Sequence, residues 1–127
     1  SVLPLRLPPD CVSTIQHERF RHTLDLVNSN LVVIGGMKSC KDNCILLFDL
    51  KTAAWKIPKL EGDEFIVMNT HSTVHHESAV YIFGGIDSDG NSLNQILQVS
   101  IHFNENTCRI RKLDFHLNLK LNLNLNL

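Results

Sequence analysis

The sequence predicts an all-β chain built on a repeat of about fifty residues. Two Gly-Gly pairs, Gly35-Gly36 and Gly84-Gly85, stand 49 residues apart, and the same offset carries His22 onto His71 and Thr23 onto Ser72. Each pair ends a strand-like apolar run, Leu31-Val32-Val33-Ile34 and Val80-Tyr81-Ile82-Phe83. No long amphipathic helical pattern interrupts them. Because these runs are apolar on successive residues, both faces of each strand are expected to be buried. Glycine at the strand end permits backbone angles and close approaches that a Cβ forbids.

Taken in order, Val2-Leu3-Pro4-Leu5-Arg6-Leu7 alternates apolar with other residues and ends at Pro8-Pro9, as a closing strand does. Trp55 precedes His71 by 16, and the same step back from His22 lands on Arg6, inside that segment. The first unit then runs from Arg21-His22 through Val32-Val33-Ile34-Gly35-Gly36 to Asn43-Cys44-Ile45-Leu46-Leu47-Phe48-Asp49, and on to Trp55. The second runs from His71 through Tyr81-Ile82-Phe83-Gly84-Gly85 to Asn94-Gln95-Ile96-Leu97-Gln98-Val99-Ser100. Asn43 to Asn94 is a step of 51, so the loop after the second Gly-Gly is two residues longer. Repeats tolerate such variation in loops.

A His, a strand ending in Gly-Gly, an Asn opening a third strand, an Asp closing it and a Trp on a fourth resemble the kelch repeat. Residues 20 to 112 carry the likeness. The second unit departs from it: Ser100 stands in the aspartate's place, no Trp follows, and Cys108 or Ile110 falls nearest that position. The resemblance implies about two four-stranded antiparallel blades of a kelch-type β-propeller, with His22, Gly35, Gly36, Asn43, Trp55, His71, Gly84, Gly85 and Asn94 as structural repeat positions. It also implies that Trp55 serves the contact between blades, and that Tyr81 sits in a core strand. A closed propeller of 4 to 8 blades needs roughly 200 residues or more. The chain has 127 and begins with Ser1, so it reads as a piece of a longer propeller. The expected divisions are 1–19 (closing strand of a preceding blade and a loop), 20–69 (first repeat), 70–116 (degenerate second repeat) and 117–127 (a Leu/Asn tail).

That tail alternates strictly: Leu113, Phe115, Leu117, Leu119, Leu121, Leu123, Leu125 and Leu127 are apolar, with asparagines at most intervening positions from Asn118 on. It far exceeds a usual strand and has the look of low-complexity sequence able to pair along an edge. Together with uncovered blade faces, it makes self-association of the isolated chain an expectation.

Net charge of −1 and a pI near 6.6 argue against a dedicated nucleic-acid binder. No apolar stretch is long enough for a membrane-spanning helix, and three prolines spoil the N-terminal segment as a secretory signal. Cys11, Cys40, Cys44 and Cys108 lack the density of a disulfide framework and read as free thiols of a reducing compartment, cytoplasmic or nuclear. Cys40-x-x-x-Cys44 has no second pair to complete a zinc site, and the Asp87-Ser88-Asp89-Gly90-Asn91 stretch has its glycine at the wrong position for a calcium loop. It reads instead as a turn between strands. His75-His76-Glu77 falls at a strand-to-strand tip and reads as solvated. No nucleophile elbow or phosphate loop occurs. No catalytic residue, cofactor or metal is expected.

In an antiparallel four-stranded unit, the link between second and third strands shares one end with the link to the next unit. That end collects Met37 to Asp42, Glu61 to Asn69 and Ile86 to Leu93, while short turns occupy the other. Longer loops on a rigid frame are where binding usually lives. Lys38, Asp42, Asp63, Glu64, Asp87, Asp89 and Asn91 are therefore the candidate partner-binding residues. Acids dominate them, Glu61 included, with Lys38 and Lys41 opposing, so the expected partner is a basic or hydrogen-bond-rich protein segment. The expected function is a non-catalytic protein-binding module, adaptor or scaffold. The alternative is the kelch-like propeller portion of an enzyme, either attached to a methyltransferase-type domain or like that of galactose oxidases. The latter needs a Tyr and His copper-ligand set, and Tyr81 is the only tyrosine.

Overall fold

The computed structural model describes residues 19–37 and 43–113. The expected closing strand within 1–19 (apart from Arg19), Lys38, Asp42, Cys40 and the 117–127 tail lie outside them. Four antiparallel strands in chain order make the first sheet: β1 (Thr23–Val27), β2 (Asn30–Ile34), β3 (Ile45–Asp49) and β4 (Ala54–Lys56). The β1–β2 hairpin turns on Asn28 and Ser29, both with positive φ. Two such residues match the right-handed twist of the flanking strands, and Asn tolerates that region well. At the next turn the Asp49 carboxylate accepts the backbone N–H groups of Lys51 and Thr52. Those donors hold its pKa below the ordinary value, chiefly through Lys51. The aspartate that closes β3 is thus a turn-former.

The second sheet repeats the plan with β7 (Ser72–His76), β8 (Ala79–Phe83), β10 (Ile96–His102) and β11 (Thr107–Leu113), antiparallel in that order. A short ladder of β6 (Met68–Asn69) on β9 (Ile86–Asp87) links its entry to the segment after Gly84-Gly85. Both strands of that ladder fall in stretches expected to be loops, and one longer strand was not expected either. β5 (Lys59–Gly62), which runs into the expected Glu61–Asn69 loop, lies parallel to β11 as a fifth strand. An unpaired outer edge leaves a row of N–H and C=O groups without partners. Segment 59–62 supplies them, and Asp63 finishes the job by accepting the Lys112 N–H at 2.7 Å.

Alternation along the strands sorts the side chains into faces. One face of the first sheet (Val27, Val32, Ile34, Ile45, Leu47) and one face of the second (Val80, Ile82, Leu97, Val99, Ile101, Cys108, Ile110) belong to a single buried core with Phe65 and Met68. Each such side chain contributes roughly 1.5–3 kcal/mol by leaving water. The expectation of burial on both faces holds for Val32, Val33 and Ile34 but fails in the second run, where Phe83 is 50% exposed and Tyr81 half-buried. Tyr81 is not a core residue; it points away from the first sheet and accepts a hydrogen bond from Gln98. No third sheet lies beyond that face among the described residues.

Pairing settles the missing tryptophan. Phe48 pairs with Trp55, and Val99, 51 residues on from Phe48, pairs with Ile110. Ile110 holds the tryptophan's place. Trp55 packs edge-on against Phe48, 4.9 Å between ring centres, on the face turned away from the second sheet.

Candidate functional site

The repeat positions meet where the two sheets join. Gly35 and Gly84 donate their N–H groups to the carbonyls of Cys44 and Gln95, the same bond in both units. Gly36 donates to the Met68 carbonyl at 2.8 Å, and Thr70 to the Arg21 carbonyl at 3.1 Å, so the second unit's entry is stitched to the first. Gly35 needs its lack of a side chain twice over: its φ is +65°, and a Cβ would strike the Met68 carbonyl oxygen and sit 2.7 Å from His71 Cε1. Gly84 has the same φ region, +60°, but only the Leu93 carbonyl lies near, at 3.5 Å. The crowding is therefore supplied by the following unit, not by the turn itself.

His71 occupies that joint. It is buried, and its Nε2 lies 2.9 Å from Thr23 Oγ1 of the first sheet. Burial pushes its pKa below the ordinary histidine value, with His22 acting in the same sense and the Ile34 carbonyl and Asp25 opposing. His22, its counterpart 49 residues earlier, is exposed. Asn43 and Asn94 diverge likewise, the first fully buried and the second exposed. Of the two, His71 is the one bonded across the joint.

Beside the joint, at the end where the long links gather, lies an open cavity of about 370 Å³. Arg21, Met37, Val67, Asn69 and the Ile86–Ser88 turn form its walls, with Gly36 and Gly90 at its rim. Apolar walls with a few polar groups are the usual composition of a binding cleft. Of the sequence-derived candidates among the described residues, Asp87 alone lines it. Its carboxylate is committed to its own turn, accepting the N–H groups of Asp89 and Asn91 and the Asn91 side-chain amide. Those bonds, Asn91 first, hold its pKa low.

Asp63 and Glu64 line a separate cavity of about 350 Å³ formed by Pro58 to Phe65, and Asp63 is tied to β11 as described. The acids therefore do not form one patch. Arg21 faces the same cavity as Asp87, and Arg109 and Arg111 of β11 flank Asp63. The expectation that only Lys38 and Lys41 oppose the acids is corrected by these arginines. Arg21 was legible as the residue before His22, and Arg109 and Arg111 as alternating positions of one strand. What hid the last two was the register of β11 against β5.

Cys44 and Cys108 are both buried within one core, Cys108 as a free thiol. Burial, with Cys44 adding, pushes the Cys108 pKa up to about 12. Among the described residues no group of three or more His, Cys, Asp or Glu side chains is gathered as metal ligands would be. Nor, among them, is any helix long and apolar enough to cross a membrane.

No family model matches the chain. It is similar to Host cell factor 1 of Homo sapiens, 33% identical over 61 residues, 48% of this chain and 3% of that protein. With Host cell factor of Drosophila melanogaster the identity is 31% over 58 residues, 46% of this chain and 4% of the relative. It is also similar to the tRNA wybutosine-synthesizing protein 2/3/4 of Arabidopsis thaliana, 30% identical over 94 residues, 67% of this chain and 9% of that protein. The chain thus spans a small fraction of the length of the curated relatives it matches.

Proposed function

We propose that the chain is two blades of a kelch-type propeller, and that it serves as a non-catalytic protein-binding surface in a reducing compartment, cytoplasm or nucleus. The carrying observation is the joint: a four-stranded and a five-stranded sheet repeat one hydrogen-bond pattern at 49 residues and open a cavity at their long-loop end. The frame is held there by a buried joint bonded from sheet to sheet, while the loops above it are free to vary. A protein segment with an apolar anchor fits between Met37, Val67 and Ile86, and its polar groups meet Arg21 and the exposed Asp89. Glu64 and Asp89 steer its approach if it is basic, since Asp63 and Asp87 are held in structural bonds.

The second reading is a propeller portion of an enzyme whose chemistry lies elsewhere in the protein. The similarity to the tRNA wybutosine-synthesizing protein, which covers more of the chain than that to Host cell factor, favours it. Site-specific photo-crosslinking tests the surface. A benzophenone amino acid at Ser88, beside the cavity, is expected to capture a protein from lysate, and the same group at Thr52, in a turn at the opposite end, to capture none. Equal capture at both ends, or none at either, removes the loop-end reading.

A further inference from the structure

The outer side of the second sheet carries the positions that face the joint in the first sheet, and their chemistry has changed. Val32 and Leu47, 0% and 1% exposed, belong to the core shared between the sheets. Their counterparts, 49 and 51 residues on, are Tyr81 and Gln98, half-buried and hydrogen-bonded to each other at 3.4 Å. In the first sheet Leu47 pairs with Lys56 and Asp49 with Ala54; in the second, Gln98 pairs with Arg111 and Ser100 with Arg109. Directly opposed residues of antiparallel strands share a face. Tyr81, Gln98 and Arg111 therefore form one row across the outer side, with Ser100 and Arg109 in the next.

Two open cavities meet on these rows. One of about 340 Å³ lies by Asp63 and the two arginines, another of about 380 Å³ by His76, Tyr81 and His102, and both are lined by Gln98 and Ser100. Val74, opposite Tyr81, and Phe83 stand 61% and 50% exposed on the same side. Arg109 and Arg111 are exposed and make no ion pair among the described residues. The acids around the groove are engaged already. Glu61, opposite Arg109 on β5, lies 4.0 Å from Lys59; Asp63 accepts the Lys112 N–H; and Glu77 lies 3.8 Å from His76. An apolar sheet like the one that covers Val32 and Leu47 would strip water from two guanidinium groups and give nothing in exchange, which is costly. A cover that brings carboxylates meets each arginine with two parallel hydrogen bonds.

We propose that this groove holds an extended segment of a partner protein, with carboxylates over Arg109 and Arg111 and an apolar side chain over Val74 and Phe83. Crossing from β7 to β11, over strands about 4.8 Å apart, takes about five extended residues. A nucleic-acid strand, with a phosphate at every step, is disfavoured by Glu61, Asp63 and Glu77 around the groove. The site is separate from the loop-end cavity, whose exposed Glu64 and Asp89 repel an acidic segment, so each surface is tested without the other.

An array of immobilised random-sequence hexapeptides, probed with the full chain, tests it. Retained peptides are expected to be enriched in Asp and Glu together with an apolar residue. Fluorescence anisotropy on the best of them is expected to show affinity at least about tenfold weaker in the chain carrying Arg109→Gln and Arg111→Gln. Lys112→Gln, the same loss of charge on the same strand but from the alternate position, changes affinity by less than about threefold, as does Asp89→Asn at the loop end. Arg109→Lys with Arg111→Lys keeps the charge but loses the paired bonds, so its affinity falls between. Circular dichroism and Trp55 fluorescence confirm folding. If glutamine unfolds the chain, the lysine pair carries the test, and parent affinity in it overturns the proposal. No retained peptides, retention without acids, affinity unchanged in the folded glutamine pair, an equal loss in Lys112→Gln, or displacement of the peptide by single-stranded oligothymidine at lower concentration than by free peptide would each overturn it as well.

Discussion

Alanine at Gly35 and at Gly84 separates a turn's intrinsic strain from the contact between the sheets. The two glycines share nearly the same backbone, φ +65° and +60°, so both variants carry the same left-handed penalty of roughly 1–2 kcal/mol. At Gly84 little is added, because the nearest atom to the new Cβ is the Leu93 carbonyl at 3.5 Å, an ordinary contact. At Gly35 the Cβ meets the Met68 carbonyl and His71 Cε1. A backbone carbonyl cannot turn aside as a flexible side chain does, and that carbonyl also accepts the Gly36 N–H. Overpacking of this kind adds roughly 1–3 kcal/mol. Urea unfolding followed through Trp55, the only tryptophan, reads both. With a slope of about 2 kcal/mol per molar, Gly35→Ala is expected to unfold about 1 M earlier than Gly84→Ala. Equal midpoints would mean that the second unit does not press on the first at Gly35, and the described joint would be wrong. Valine at Gly84 follows the same logic: its loss is conformational, without the crowding that sequence alone suggested as an option.

His71 makes the joint sensitive to acid. Its folded-state pKa lies below the ordinary value, so the unfolded chain takes up the proton first as pH falls, and the stability this group contributes above about 6.5 is lost below it. Thermal melts across that window are expected to fall less steeply in His71→Gln than in the parent chain, and identical slopes would refute the assignment. Cys108, its thiol pushed up to about 12, is expected to resist alkylation in the native chain at pH 8 and to react once urea is added; a native adduct mapped to Cys108 by mass spectrometry would contradict its burial. Asp63→Ala frees the Lys112 N–H and loosens β5, at roughly 0.5–1.5 kcal/mol, whereas Asp89→Ala, whose side chain makes no such bond to a strand, leaves stability unchanged. Hydrogen exchange at Lys112 and along 59–62 should quicken only in the first variant, and equal rates in the two would remove the structural role given to Asp63.

The period, the main strands and the turns were legible in the residues alone. Val32 to Ile34 and Val80 to Phe83 are apolar runs stopped by glycines that need positive φ, and such local signals survive in any tertiary setting. Asp49 and Asp87 were legible as strand-end and turn residues for the same reason: their bonds reach no further than four positions along the chain. Which face each strand buries came from the packing of the sheets, because alternation gives two faces without saying which one meets a neighbour. Tyr81 and Phe83 fell on the open side, while Val80 and Ile82 met the first sheet. Packing also decided that 59–62 is a strand, since the reason lies in the unsatisfied edge of β11, fifty residues away in sequence. Asp63 moved from binding candidate to structural acceptor through that same pairing. Edge pairing and face choice depend on contacts distant along the chain, and a local pattern carries no record of them.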